Sequence, residues 1–156
     1  MKLTTLTKPE NFPLDIKMLN LSGEEVTVPF IGIGRTLRDW VPVALKRIEA
    51  EANDRIEAEE KRQDLLSAPE KQETDSKPSK PKKAKRITLD AAEAAKNQEE
   101  ALDKAVAKVR EFAAGWGLEE EFNDQNIKEL ILMFPGIQGE AWELYDARIK
   151  GNRTKN

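Results

Sequence analysis

Apolar and polar residues alternate in two short runs near the start of the chain. Positions 12, 14, 16 and 18 are apolar in the first run, and positions 26, 28 and 30 are apolar in the second. A period of two is typical of a strand with one buried face. Residues 20–24 supply turn chemistry between the runs, so the pattern predicts a β-hairpin. Pro13 and Pro29 cannot donate to a ladder, and we expect each at an edge or a strand end.

A helix is predicted to begin between Thr36 and Asp39. With Asp39 as the N-cap, Pro42 falls in the first turn, where proline is tolerated. The apolar stripe of this helix is short and consists of Trp40, Val43, Ala44 and Ile48. Large apolar residues become sparse beyond Ile48, which predicts a helix that projects into water or awaits a partner.

Residues 67–86 differ in composition from everything around them. They contain three prolines, many charges and almost no apolar residues. Such a segment cannot bury enough surface to offset the entropy of ordering it, so we predict a flexible charged linker.

Helical spacing returns after the linker. The first helix of this part is predicted to begin at Thr88 or Asp90, where Asp90 and Glu93 fit a capping box. Gly115 and Gly117 are expected to end it. Its apolar face contains Leu102, Ala105, Val106, Val109, Phe112, Ala113 and Trp116.

Two shorter helices are predicted to follow. Asn123 or Asp124 caps the first, whose apolar face is Ile127, Leu130, Ile131 and Phe134. Pro135 and Gly136 separate it from the last helix, which ends at Gly151. The apolar face of that last helix holds Ile137, Ala141, Leu144 and Tyr145, with Trp142 beside it.

The predicted fold class is therefore α+β and mainly α, with an N-terminal β-hairpin plus helix and a C-terminal small helical bundle. We expect a hairpin and long helix in residues 1–66, the linker in 67–86 and a three-helix unit in 87–156. The hairpin's apolar face either packs on the first helix, or its edge pairs with a partner strand.

The amino-acid composition removes several kinds of catalytic and metal-binding site. The chain has no histidine and no cysteine, which removes the commonest general base, the thiol nucleophile and the usual zinc ligands. Its 29 acidic residues lie in runs that look solvated, with no sign of a desolvated pocket. We therefore expect no enzyme activity, no catalytic residues, no metal and no cofactor. No apolar run approaches a membrane span, and the N-terminus lacks the apolar stretch of a secretory signal.

Charge is divided unequally along the chain. Residues 1–86 carry 17 basic and 15 acidic groups, whereas residues 87–156 carry 9 and 14. The basic run from Lys77 to Arg86 could contact nucleic acid, but it lacks an aromatic residue for base stacking. A solvated linker is the favoured interpretation, so nucleic acid is disfavoured as a partner.

The aromatic residues of the C-terminal part allow two interpretations that can both hold in part. They form the core of a small bundle, or some of them line a groove for a partner helix. Trp142 lies off the main stripe and is expected to be the most exposed. The candidate partner-binding residues are Trp40, Trp116, Phe122, Ile127, Leu130, Ile131, Phe134, Trp142 and Tyr145.

Two stretches, residues 12–48 and 113–156, together resemble the tail assembly chaperones of long-tailed bacteriophages. In that family a strand pair similar to residues 12–30 runs into a helix. A Gly-Trp pair follows later, then an acidic stretch and an aromatic residue, here Gly115-Trp116 and residues 119–122. A Leu-rich helix ending in aromatic-Pro (residues 126–135) and a last helix with a Lys-Asn tail (residues 141–156) complete the likeness.

The resemblance implies a function and a set of partners. Members of the family bind the long, aggregation-prone tape-measure protein in the cytoplasm of the infected host cell and hold it soluble. They recruit tail-tube subunits and are absent from the mature virion. Self-association is a further expectation. The alternatives are a nucleic-acid-associated regulatory protein that uses the basic linker and a structural protein of the virion tail.

Overall fold

The computed structural model describes residues 9–66 and 90–151. Within these residues the elements are β1 (Phe12–Leu19), β2 (Glu25–Gly32), α1 (Leu37–Leu66), α2 (Ala91–Phe112), β3 (Ala113–Trp116), α3 (Asp124–Met133) and α4 (Ile137–Ile149). The predicted α+β, mainly α class is confirmed. The predicted linker at 67–86 lies outside the described residues.

The predicted hairpin is confirmed. Strands β1 and β2 pair antiparallel from Phe12 opposite Gly32 to Leu19 opposite Glu25. The Asn20 side-chain oxygen accepts hydrogen bonds from the backbone N–H groups of Ser22 and Glu24, at 3.0 and 2.9 Å. These bonds fix the turn, as expected of an asparagine that opens a turn. The buried face of the hairpin holds Leu14, Ile16, Val28 and Phe30.

A third strand corrects the prediction that helical structure continues to Trp116. Helix α2 ends at Phe112, and β3 pairs antiparallel with β2, giving the sheet order β1-β2-β3. Gly115 and Gly117 weaken a helix there, whereas the free edge of β2 offers hydrogen-bond partners to an extended chain. The Gly117 N–H accordingly donates to the Pro29 carbonyl at 2.7 Å.

The two strand prolines occupy positions that tolerate a missing N–H. Pro13 lies in β1, at the edge of the sheet. The prediction is wrong for Pro29, which lies inside the central strand β2, although the β2–β3 register begins one residue later, at Phe30. The ladder with β3 therefore does not require a donor from Pro29.

The start of α1 differs from the preferred prediction. Thr36 caps the helix, because its hydroxyl oxygen accepts from the Asp39 N–H at 3.3 Å and its O–H donates to the Asp39 carboxylate at 2.7 Å. The assignment of Asp39 as N-cap is wrong, since Asp39 lies in the first turn. Pro42 consequently lies farther inside α1 than predicted and removes one hydrogen bond of the helix.

The other helix ends follow local sequence chemistry. Asp90 caps α2, and its side chain accepts a hydrogen bond from the Ala92 N–H. Ala92 directly precedes Glu93, the second residue of the predicted capping box. Asn123 caps α3 by accepting from the Asn126 N–H at 2.9 Å. Gly136 precedes α4 with a φ of 92°, and Gly151 follows it with a φ of 86°. These backbone angles favour glycine at both ends of α4.

The hydrophobic core of the described residues combines the inner face of the sheet with all the helices. Phe30 of β2 contacts Phe112 of α2, with ring centroids 5.7 Å apart. Helix α2 packs on α3 and α4, and α4 also packs on β1. This core contains residues from both predicted units, 1–66 and 87–156. The division into those units stays a prediction.

Candidate partner-binding surface

The structure separates the predicted partner-binding residues into two groups. Phe122, Phe134 and Trp142 are half-buried and pack against the core. The other residues are buried in the core of the described conformation, namely Trp40, Trp116, Ile127, Leu130, Ile131 and Tyr145. The role of all nine in partner binding stays a prediction.

Trp40 joins α1 to α4. Its ring lies edge-on to Tyr145, with centroids 4.7 Å apart, and is tilted against Trp142 at 5.5 Å. Its indole N–H donates to the Asp146 carboxylate at 2.7 Å. Burial raises the pKa of Tyr145 above its usual value, because an ionised phenolate would be desolvated there. These contacts make Trp40 the residue that fixes the start of α1 on the core.

Trp142 is more covered than the sequence suggested. It lies between Trp40 of α1 and Lys108 of α2, whose ammonium is 5.4 Å from the ring centroid. Its Nε1 is buried and has no hydrogen-bond partner among the described residues. A buried donor without an acceptor is unusual and marks Trp142 as a position worth testing.

The Gly-Trp segment and the acidic stretch after it fold together. The Trp116 indole N–H donates to the Glu120 carbonyl at 2.7 Å, and the ring meets Phe122 edge-on at 5.0 Å. The Arg110 guanidinium lies 5.3 Å from the Phe122 ring centroid. The local motif therefore stabilises the connection between β3 and α3.

The most extended exposed apolar feature lies on α1. Leu37, Val41, Leu45 and Ile48 are 49, 36, 61 and 54 % exposed, and their spacing of four, four and three residues places them along one face. We call these four residues the α1 stripe. The sequence interpretation assigned Ile48 to the same face as Trp40 and overlooked the other three. Their helical spacing was the signal that could have identified them.

Smaller exposed apolar groups lie elsewhere. Leu19 and Leu21, at the tip of the hairpin, are 68 and 106 % exposed. Leu132 and Met133, at the end of α3, are 47 and 62 % exposed. Single exposed apolar residues are common on protein surfaces, so the continuous α1 stripe is the stronger candidate for a binding surface.

Residues 9–66 and 90–151 contain neither a candidate metal site nor a candidate membrane-spanning helix. No group of carboxylates in this part of the chain is arranged to hold a metal ion. No helix within it is long and apolar enough to cross a membrane.

Comparison with known proteins places the chain in a family. Neither the curated proteins nor the solved structures include a match to it. The family described as phage tail assembly chaperone matches residues 1–156, which is the whole sequence. This match extends across both stretches in which the sequence resembles these chaperones, and across the segment between them. The chain belongs to the phage tail assembly chaperone family.

Proposed function

We propose that this chaperone binds helical segments of the tape-measure protein through the α1 stripe, without catalysis, and keeps that client soluble. It acts while tails are assembled in the infected cell. The observation that carries the proposal is the continuous row of exposed apolar side chains at Leu37, Val41, Leu45 and Ile48.

The stripe has the form that recognition of a helix requires. Ile48 lies eleven positions after Leu37, which corresponds to about 16 Å along a helix. An amphipathic helix presents apolar residues at the same three- and four-residue spacing, so it can pack along such a row. The rest of α1 is mainly charged and polar, with Ile56, Leu65 and Leu66 as further exposed apolar residues, and this charge keeps the complex soluble.

A second surface supports recruitment of tail-tube subunits. The tip of the hairpin presents Leu19 and Leu21 on a turn fixed by Asn20. Each hairpin strand has eight residues at about 3.3 Å each, so the tip lies about 26 Å from the opposite end of the hairpin, where the chain continues toward α1. Two separate apolar surfaces allow the client and a tube subunit to bind together.

The proposed cycle ends with release of the chaperone. We place the protein in the host cytoplasm during assembly and expect it to be absent from the mature virion. Mass spectrometry of purified particles tests this point, because a structural tail protein would be found there in fixed proportion to the tube protein. Self-association through the same exposed residues is measured by sedimentation of the purified chaperone.

Co-expression with the tape-measure protein of the same genome tests client binding. The Leu45→Gln/Ile48→Gln variant removes the second half of the stripe, and the Lys46→Gln/Glu49→Gln variant changes exposed polar neighbours on the same helix. We expect the wild type and the polar control to solubilise and co-purify the client. The stripe variant is expected to lose most of the co-purified client while keeping its helical circular dichroism.

Two results would contradict the proposal. If the folded stripe variant retains the client as well as the polar control does, the α1 stripe is not the binding surface. If the wild type neither solubilises nor co-purifies the client, tape-measure binding itself is wrong.

A further inference from the structure

Helix α1 is attached to the core along a small part of its length. Its buried residues are Trp40 and Ala44, both near its start. Residues 52–66 are all exposed. The apolar core therefore fixes the beginning of the helix, and other forces must determine where the rest of it lies.

Ion pairs supply those forces. Among the described residues, α1 is joined to α2 by Arg47–Glu111, by Glu51–Lys108 at 2.6 Å and by Asp54–Lys104 at 3.0 Å. We call these three pairs the α1–α2 ladder.

The ladder follows a single antiparallel register. Its positions step by four and then three residues along α1, and by three and then four in the opposite direction along α2. One face of each helix thus carries the whole set. Lys61 pairs with Glu57 within α1, and its pKa is raised by the hydrogen bond that it donates to Glu57 and also by the charges of Glu100 and Glu93 on α2.

The ladder also covers Trp142. The Lys108 ammonium bonds Glu51 and at the same time lies 5.4 Å from the centroid of the Trp142 ring. The buried indole N–H of Trp142 has no acceptor among the described residues. Movement of α1 away from α2 would release Lys108 from Glu51 and allow its ammonium to leave the Trp142 ring.

We propose that the α1–α2 ladder is an ionic latch that controls access to Trp142. In the closed state the charges hold α1 beside α2. In the open state α1 swings outward beyond Ala44 while Trp40 stays in the core. Opening breaks the three ion pairs but no buried apolar contact of α1 beyond Ala44, so the balance between the two states depends on charge. The latch is a property of the chaperone alone and does not depend on the identity of its client.

Spin labelling of the full chain measures the opening directly. The chain has no cysteine, so Ala58→Cys and Ala101→Cys, both at exposed positions, give one label on each helix. Double electron–electron resonance is recorded at about 0.01 M and about 1 M ionic strength, over which the Debye length falls from ~30 to ~3 Å. We expect a narrow, short distance distribution at low salt and a broader, longer one at high salt.

Charge reversal identifies the ladder as the cause. Lys104→Glu places a carboxylate opposite Asp54, so the labels should separate even at low salt. Adding Asp54→Lys restores opposite charges and should restore the short distance. Glu57→Gln is the matched control, because Glu57 pairs with Lys61 within α1. It should leave the distance unchanged.

Hydrogen exchange of the three indole N–H groups separates opening from unfolding. The Trp142 N–H is expected to exchange several-fold faster in Lys104→Glu than in the wild type. The N–H groups of Trp40 and Trp116 are bonded to Asp146 and Glu120 and should keep their rates. The latch is refuted if the distance between the labels changes neither with salt nor with charge reversal, or if the double variant keeps the long distance. It is also refuted if the N–H groups of all three tryptophans exchange faster in Lys104→Glu.

Discussion

Tyr145 and Ile33 are joined by a 2.6 Å hydrogen bond from the phenol hydroxyl to the backbone carbonyl, across 112 positions of sequence. The N–H of Ile33 donates in turn to the Phe112 carbonyl at 2.8 Å. The segment that leaves β2 is thus fixed to α4 by its carbonyl and to the end of α2 by its N–H. This connection holds the start of α1, and with it the α1 stripe, in a defined position.

The Tyr145→Phe substitution tests this connection. It keeps the ring that packs against Trp40 and Phe12 but leaves the Ile33 carbonyl without its partner. We expect a loss of about 1–3 kcal/mol in the free energy of unfolding, measured by urea denaturation. Glu143→Gln, an exposed change on the same helix, should have almost no effect. Equal stability of the two variants would show that the bond contributes nothing.

The raised pKa of Tyr145 predicts that the stability of the protein responds to alkaline pH. Burial raises its pKa in the folded state, so the unfolded chain loses this proton first, at pH about 10. Above that pH the folded state binds more protons than the unfolded state, and the free energy of unfolding falls as pH rises. Urea denaturation between about pH 8 and about pH 11, which spans that pKa, should show a decline that is smaller in Tyr145→Phe. Identical slopes would contradict the assignment.

The two tryptophans between α1 and α4 should respond differently to alanine. Trp40 is fully buried and hydrogen-bonded to Asp146, so Trp40→Ala is expected to lose about 3–5 kcal/mol and to unfold much of the population. Trp142 is half-buried with an unpartnered N–H, so Trp142→Ala should lose less and stay folded. Thermal denaturation followed by circular dichroism compares them, and a reversed order of stability would overturn this ranking.

Gly34 is predicted to be intolerant of a side chain. A Cβ there would lie 2.3 Å from the Glu10 carbonyl oxygen, which is backbone and cannot move aside cheaply. The shift would also disturb the 3.0 Å bond from the Gly34 N–H to the Asn11 side chain. We expect Gly34→Ala to cost about 1–3 kcal/mol in urea denaturation.

Gly139 provides the matched control for Gly34. It lies within α4, and a Cβ there would meet no atom within 4 Å. Replacing a helical glycine by alanine should raise stability by about 0.5–1 kcal/mol. If both alanine variants were stabilised, the close approach of residues 9–11 to Gly34 would be wrong.

Local chemistry allowed much of the fold to be predicted from the sequence. The alternation at residues 12–18 and 26–30 specified the hairpin, since a period of two is meaningful before any tertiary contact forms. Asp90 and Asn123 marked two helix starts, and Gly136 marked a third, because caps act on the N–H groups and backbone angles nearest to them. The order of the motifs likewise indicated the chaperone family.

Tertiary structure decided the features that depend on distant partners. Residues 113–116 became a strand because β2 had a free edge, although their apolar spacing also suits a helix. Helix α1 carries two apolar stripes, and periodicity alone does not say which of them is buried. Trp40 and Ala44 face the core because Tyr145 and Asp146, more than a hundred residues later, receive Trp40. As a consequence, the α1 stripe is exposed. The sequence by itself determined most of the elements and their ends, whereas long-range packing determined which surface remains for a partner.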